Sequence, residues 1–426
     1  MATRLRNPAI VLNPGAAGIG VLHALQRGGV DVISVGRLRP PLLGRFSVVP
    51  REYVTYRPER GENLADCLLA LAERFDGKGV LFPSIDIDLE TLIVDRDRLA
   101  ERYHIPANPE IGLRIFEKNW QYGIAERVGF PTPRNVRFLG AERPDTTGFR
   151  FPLIIKPSDR AVASGAWVFR LRILHDRAAL DASLDEVARD YPQRNFQIAE
   201  VIPGEPDQLY TVGAYSNRQG GVLRSYTGRK LSQYPYDHGS ASLAETMPMP
   251  ADVVERSHVL LDAMQFHGIA QVEMKYDARD GLYKLVEVNG RSWLWIKLAA
   301  FSGVNLPLIQ YYDLTDDPRL AAAVAEPQVN DHFYVYDFHV KLNRHAGEQA
   351  RLREMNRSKI AVPAVIHPGE WRLNAVYRAG SLLRRARHIL SGARAPLGSS
   401  WYLSRRSVAA RSSIQSLAKK LAGLRG

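Results

Sequence analysis

One cysteine, Cys67, stands among 426 residues, which excludes an internal disulfide and a cysteine-based metal cage and suits a reducing compartment. Cys67 reads as a small buried helix residue. Long apolar runs are missing as well: runs such as those at 9–12 and 80–83 fall far short of the ~18 residues a membrane-spanning helix needs. No apolar segment followed by a small-residue cleavage site stands at the N-terminus. We therefore expect a cytoplasmic protein. With 45% hydrophobic and 24% charged residues, disordered and collagen-like architectures are excluded. The length, at about 150 residues per domain, implies roughly two or three domains.

Acidic residues are absent from one stretch. The formal net charge is +12, yet residues 371–426 hold 12 Lys and Arg and no Asp or Glu, so the first 370 residues are balanced. The excess asks for an anionic partner of the tail rather than of the body. In SSIQSLAKKLAGLRG the residues Ile414, Leu417, Leu421 and Leu424 form an apolar stripe that Lys419, Lys420 and Arg425 avoid. WRLNAVYRAGSLLRRARHIL repeats the pattern with Val376, Leu382, Leu383 and Ile389 beside five arginines. Both read as basic amphipathic helices. With Trp401 and Tyr402 they suit peripheral contact with an anionic membrane, which would put the protein at the membrane's inner face. The alternative packs both stripes on the body. Nucleic acid is set aside, because no motif that reads it accompanies the charge.

Residues 9–35 carry an apolar run, a glycine-containing turn, a helical stretch and a second apolar run, which is one βαβ unit. Gly15, Gly18 and Gly20 lack the G-x-G-x-x-G spacing and no acid closes the second strand, so a dinucleotide site is not expected. A second unit follows, and residues 1–112 are expected to form an N-terminal α/β domain. Asp86 and Asp88 lie just beyond a strand's carboxyl end, where such sheets hold ligands, or they open a helix. After Asn108 come a helix containing Lys118, the turn GFPTPRN, and FRFPLIIKPSDRAVASGAWVFR, two apolar runs around a polar loop. A helix near 176–190 and the strand FQIAEVIPGE complete a small antiparallel subdomain over about 149–200, inside a unit spanning 113–328. Residues 209–246 alternate as strands, and residues 329–426 form an extension.

The segment QVEMKYDARDGLYKLVEVNGRSW predicts two strands around ARDGL. Pairing Glu273 with Glu287 sets 275 opposite 285 and 277 opposite 283, leaving a five-residue loop. Strand side chains alternate faces, so Glu273, Glu287 and Asn289 point the same way. Two carboxylates and an amide oxygen suit Mg²⁺, with Mn²⁺ as the alternative, and such ions are completed by substrate phosphates. A solvated face balanced by Lys275 and Arg291 is the plainer reading. Lys156 ends a strand before a loop that contains Gly165, a setting able to drape over phosphates. In AEVIPGEPD, Glu200 and the backbone of Val201 and Ile202 offer the donors and acceptors that an adenine edge uses.

Lys118 in EKNWQYGIAERVGFPTP, Lys156 in LIIKPSD, the AEVIPGE strand, Glu273 and VEVNGRSW occur in the order found in the ATP-grasp superfamily, and the chain resembles that family over roughly residues 1–325. GRKLSQYP and VEVNGRSWLW look closest to carboxylate-amine ligases of the D-aspartate ligase type. The resemblance implies an α/β and α+β architecture: a Rossmann-like N-terminal lobe, an antiparallel lid, a mixed C-terminal lobe and a basic helical tail. It implies that ATP lies between two antiparallel sheets, with Lys118 and Lys156 on the phosphates. Glu200, Val201 and Ile202 would read adenine, and Asp207, or else Glu205, would take the ribose hydroxyls. Glu273, Glu287 and Asn289 would hold Mg²⁺, and Arg291 would face the transferred phosphate. Arg229, Lys230 and His238 would bind the acid. Two departures stand out: the loop after Lys156 has a single glycine, and GRSW replaces the commoner proline and arginine after the asparagine. The implied activity activates a carboxylate as an acyl phosphate and joins it to an amine, such as an amino acid, with release of ADP and phosphate. Small-molecule acid and amine are then the partners, with a homodimer as an oligomeric alternative. A thiol or bicarbonate acceptor, or an ATP-binding scaffold without turnover, are the rival readings.

Overall fold

The computed structural model describes residues 4–37, 43–158, 169, 171–235, 239–342 and 347–390. Gly165 and most of the loop after Lys156, His238, Trp401, Tyr402 and the stripe from Ile414 to Leu424 lie outside the described residues, as do the side chains of Leu383 and Ile389.

The N-terminal lobe is a five-stranded parallel sheet. Its strands are β1 (Ala9–Leu12), β2 (Val32–Arg37), β3 (Glu52–Tyr56), β4 (Gly79–Phe82) and β5 (Tyr103–His104), in the order β3-β2-β1-β4-β5. Helices α1 (Ala16–Gln26), α2 (Leu64–Ala72) and α3 (Asp86–Val94) connect them. β1 and β4 are buried along their whole length, as expected where helices cover both faces of a parallel sheet. The two βαβ units expected from the sequence are therefore present.

Beyond helix α4 (Lys118–Arg127), a small antiparallel sheet runs β8-β7-β9-β6, from β6 (Asn135–Leu139), β7 (Leu153–Pro157), β8 (Arg172–Leu174) and β9 (Asn195–Glu200). Helix α5 (Arg177–Asp190) packs on it through Leu180, Leu184 and Val187. Asp176 caps α5 by accepting from the Ala179 N–H at 2.8 Å, which satisfies one of the donors a helix start leaves open. The small sheet also takes in β6, ahead of the segment from 149.

The third sheet has seven strands in the order β14-β13-β10-β11-β12-β15-β16. They are β10 (Leu209–Ser216), β11 (Val222–Tyr234), β12 (Ser240–Thr246), β13 (Gly268–Asp277), β14 (Leu282–Asn289), β15 (His332–Val335) and β16 (Ile360–Pro363). Only the β15–β16 pair is parallel. The segment after 329 thus extends the same sheet. One face packs on helix α6 (Ala251–Ala263) through Val212, Val272, Met274 and Leu261. On the other, Trp293 lies against Tyr226 and Trp295 and meets the N-terminal lobe. Here Gly213 is required, since a Cβ would sit 2.2 Å from the Trp293 ring. The tryptophan of GRSW is thus a core residue.

Between β15 and β16 runs helix α9 (Glu348–Ser358), after α7 (Ile296–Phe301) and α8 (Leu306–Leu314). The chain continues into α10 (Trp371–Leu390). This helix forms as expected but docks through Leu373 and Tyr377, with Ser381 one turn on. Leu382 is 66% exposed. The buried stripe over 371–382 is therefore not the expected one, because contact with the body selects the face that carries Leu373 and Tyr377. At its start Glu370 accepts from the Ser47 hydroxyl and the Val48 N–H and pairs with His23, all in the N-terminal lobe. No helix among the described residues is long and apolar enough to cross a membrane.

Candidate active site between the lid and the hairpin

The β13–β14 hairpin keeps the expected pairing of Glu273 with Glu287 and Gln271 with Asn289. Past that point the register differs from expectation: Met274 faces Leu285, Lys275 faces Lys284, and Asp277 faces Leu282. Val286 is an extra residue, a β-bulge. The reason lies in the core. Leu285 and Val288 are both buried against the α6 side, and an odd spacing cannot put two residues on one face of a regular strand. The Tyr122 hydroxyl takes up the carbonyls the bulge leaves, at 2.9 Å from Leu285 O and 3.4 Å from Val286 O, and Leu285 N–H donates to Pro131 O.

On the opposite face the expected trio is brought together. Asn289 Nδ2 donates to Glu287 Oε1 at 3.1 Å and to Gln271 Oε1 at 3.3 Å, so its carboxamide oxygen has no partner among the described residues. Glu287 Oε2 accepts from Lys118 Nζ at 2.8 Å, and Glu273 Oε1 accepts from Lys230 Nζ at 3.0 Å. Lys118 next to Glu287 holds its carboxyl well below the usual range, against the opposing effect of burial. Lys118 opens α4, whose first two N–H groups are capped by the Ser158 carbonyl and hydroxyl at the end of β7. That contact ties α4 to the lid. Lys156, two residues before Ser158, lies 5.1 Å above the Tyr122 ring. Burial, with Lys118 adding to it, pushes its ammonium down to about 7.

The N-terminal lobe reaches the same place. Arg291 Nε donates to Asp86 at the first turn of α3. Burial would lower the Arg291 pKa, but Asp86 more than offsets it and keeps the guanidinium charged. Next to Asp86, Asp88 is fully buried and accepts from Asn13 Nδ2, while its Oδ2 has no hydrogen-bond partner. Burial raises its carboxyl to about 7, against Arg37 and Asn13. Arg37 donates to the Tyr56 hydroxyl at 3.1 Å. Asn13, Arg37, Tyr56 and Asp88 thus gather at the carboxyl ends of parallel strands. The sequence had marked Asp86 and Asp88 by position alone. Asn13 follows β1 with φ 42°, and only the N-P-G turn hinted at it.

Four expected residues, Arg229, Val201, Glu200 and Asp207, already have other partners. Arg229 is not brought to the trio: neighbours in a strand point to opposite faces, so Lys230 meets Glu273 while Arg229 pairs with Glu245 at 2.8 Å. The Val201 N–H is already spent on Pro152 O at 3.0 Å, leaving Ile202 as the segment's open donor among the described residues. Glu200 Oε1 accepts from Arg150 N–H at 3.0 Å, and Arg279 of the hairpin turn lies 3.6 Å from its other oxygen. Asp207 Oδ2 accepts from Arg351 at 2.9 Å, an arginine that no local sequence pattern marks. Lys275 reaches the Gly204 carbonyl at 2.7 Å, beside Glu205.

Among the described residues no group of three His, Cys, Asp and Glu side chains gathers as a metal cage. The donor set of two carboxylates and an amide oxygen nonetheless fits Mg²⁺, which takes one or two carboxylates and leaves the remaining positions to water and phosphates.

A small antiparallel sheet, a larger and mainly antiparallel sheet and a parallel α/β lobe together match the ATP-grasp fold. No protein-family model matches the chain. It is 25% identical over 259 residues to the D-aspartate ligase of Enterococcus faecium, covering 57% of this chain and 61% of that one, so it spans about three fifths of that relative. Among solved structures it resembles an L-amino acid ligase from Bacillus licheniformis, at TM-score 0.54 and 16% identity over 77% of this chain and 79% of the other. A biotin carboxylase from Campylobacter jejuni gives TM-score 0.54 and 13% identity over 76% and 74%. Likeness at this level of identity speaks to the fold.

Proposed function

We propose that the chain is an ATP- and Mg²⁺-dependent ligase that joins a carboxylic acid to an amine and releases ADP and phosphate. The observation that carries this is the contact of Lys118 with Glu287 on the face shared by Glu273 and Asn289. In this reading Glu273, Glu287 and Asn289 hold Mg²⁺, and Lys118 and Lys156 bind the phosphates. Glu200 and Ile202 meet adenine, with Val201 between them tied to Pro152 O, and Asp207 takes the ribose hydroxyls. When bound, ATP with Mg²⁺ supplies a phosphoryl group that turns a carboxylate into an acyl phosphate able to react with an amine.

The chain's own part is positioning and charge. Lys118, which neutralises Glu287 within the chain, and Lys156 close by are available to phosphate oxygens, and Arg291 stays charged to face the transferred group. Lys230 borders the acid; Arg229 lies on the other face, paired with Glu245. The Asn13, Arg37, Tyr56 and Asp88 cluster, linked to Arg291 through Asp86, offers a cation, a carboxyl and neutral donors. That set suits an amine substrate that is itself an amino acid. The similarity to a D-aspartate ligase supports D-aspartate as the first amino acid to try.

ADP release with Mg²⁺, measured over a panel of carboxylic acids and amines, tests the reading. It should rise only when both are present, with a product mass equal to their sum less one water. Stimulation by a thiol or bicarbonate instead, or ADP binding without turnover across the panel, would replace this reading with another ATP-grasp activity or a scaffold.

A further inference from the structure

We infer that helix α9, from the segment after residue 329, completes the nucleotide face, with Arg351 as a positioning residue for Asp207. The inference rests on the reading that a nucleotide binds on this face.

Strand β11 loses its regular pairing with β12 just past Lys230: Lys230 faces Ala244, Ser232 faces Leu243, and Leu231 is the extra residue. A backbone carbonyl left over by such an irregularity needs a donor. Arg351 supplies it, giving one guanidinium nitrogen to Leu231 O and another to Asp207 Oδ2 at 2.9 Å. The planar guanidinium serves both acceptors at once, which an ammonium cannot do with the same geometry. One turn earlier Glu348, 5% exposed, accepts from Ser232 Oγ at 2.7 Å and Ser242 Oγ at 3.0 Å. Residues three apart share a helix face, so this single turn grips both the irregular strand that carries Lys230 and the carboxylate at 207. Leu231, Leu243, Phe333 and Met355 form a small core that fixes the helix in place.

Asp207 follows the Pro-Gly-Glu-Pro turn and would otherwise have to be ordered when a ribose binds, at a cost in affinity. Arg351 orders it in advance. Its effect should therefore appear only for ligands that bear ribose hydroxyls.

Calorimetric titration of the full chain with ADP and with 2′,3′-dideoxy-ADP, both with Mg²⁺, tests this. The wild-type chain should prefer ADP by about tenfold, the scale of a hydrogen bond to a charged group. Arg351→Ala should bind the dideoxy nucleotide as wild type does and lose the preference for ADP; Asp207→Asn should lose it too, and the double variant no further. An Arg351→Ala chain that keeps the preference, or that weakens both nucleotides equally, would overturn the inference. If that variant does not fold, Arg351→Lys decides: a reduced preference supports the role and a wild-type preference overturns it. A wild-type chain that binds neither nucleotide would sink the nucleotide reading itself, whereas binding untouched by Arg351 would sink only the inference drawn here.

Discussion

The two faces of the β13–β14 hairpin are made by alternate residues of the same strands and are otherwise opposites. On one, Val272, Met274, Leu285 and Val288 are buried among apolar side chains. On the other, Glu273, Glu287 and Asn289 meet Lys118, Lys230 and Gln271. The apolar face needs no ligand, because burial alone stabilises it. The polar face gathers opposite charges at close range where water is partly excluded, and such pairs contribute little net stability against their desolvation. The contrast teaches that one face holds the fold and the other is kept for chemistry, with a bulge at Val286 reconciling their different spacings.

Substitutions on each face should therefore separate activity from stability. The largest expected effect is Glu287→Gln, which removes a metal-ligand charge at nearly constant volume. Turnover should fall by about a thousandfold or more, the scale of losing a charge-stabilising group, with little change in melting temperature. Wild-type ADP release would remove Glu287 from the mechanism. Leu285→Ala, on the other side of the same strand, should cost about 2–5 kcal/mol of stability; denaturant unfolding that shows no loss would contradict the assigned faces.

Lys230→Ala against Arg229→Ala sharpens the comparison within β11. Loss of Lys230 should lower turnover by about a hundredfold, the scale of removing a charged contact at a reacting centre. Loss of Arg229 should change it by less than about threefold, as for a charge that is removed from the chemistry and partly exposed. Equal effects would mean that strand alternation does not govern the acid site.

The smallest effect is in pH. Lys156 titrates at about 7 in the free chain, far below an ordinary lysine, so it is protonated below that value and loses its charge above it. Phosphate oxygens favour the charged form and raise its pKa. ADP binding without metal should therefore take up protons near pH 7–8 and weaken as pH climbs past 7. Calorimetry in buffers of different ionisation enthalpy reads that uptake, and Lys156→Arg, always charged, should abolish it. Uptake unchanged in the variant would assign the proton elsewhere.

Local pattern made much of this legible. The βαβ units follow from apolar runs and turns, and the pairing of Glu273 with Glu287 follows from alternation around ARDGL. The bulge escaped because it depends on which residues the α6 side buries, although the odd spacing of Leu285 and Val288 was the available clue. Arg229 was grouped with Lys230 by adjacency, where alternation argued for opposite faces. Strands β15 and β16 were not legible, since four-residue segments joining a sheet across long sequence separations carry little periodicity. Arg351 shows the same limit: its partners Leu231 and Asp207 are more than a hundred residues away, and nothing near it in sequence announces them. The tail helix was foreseen as a helix, but which face it buries was settled by contacts with Leu373 and Tyr377.

The most direct test of the whole account is a crystal structure of the chain with ADP and Mn²⁺, read by anomalous scattering. We expect manganese coordinated by Glu273, Glu287 and Asn289, with the diphosphate running toward Lys118 and Lys156. Manganese or nucleotide bound away from those three side chains would contradict it.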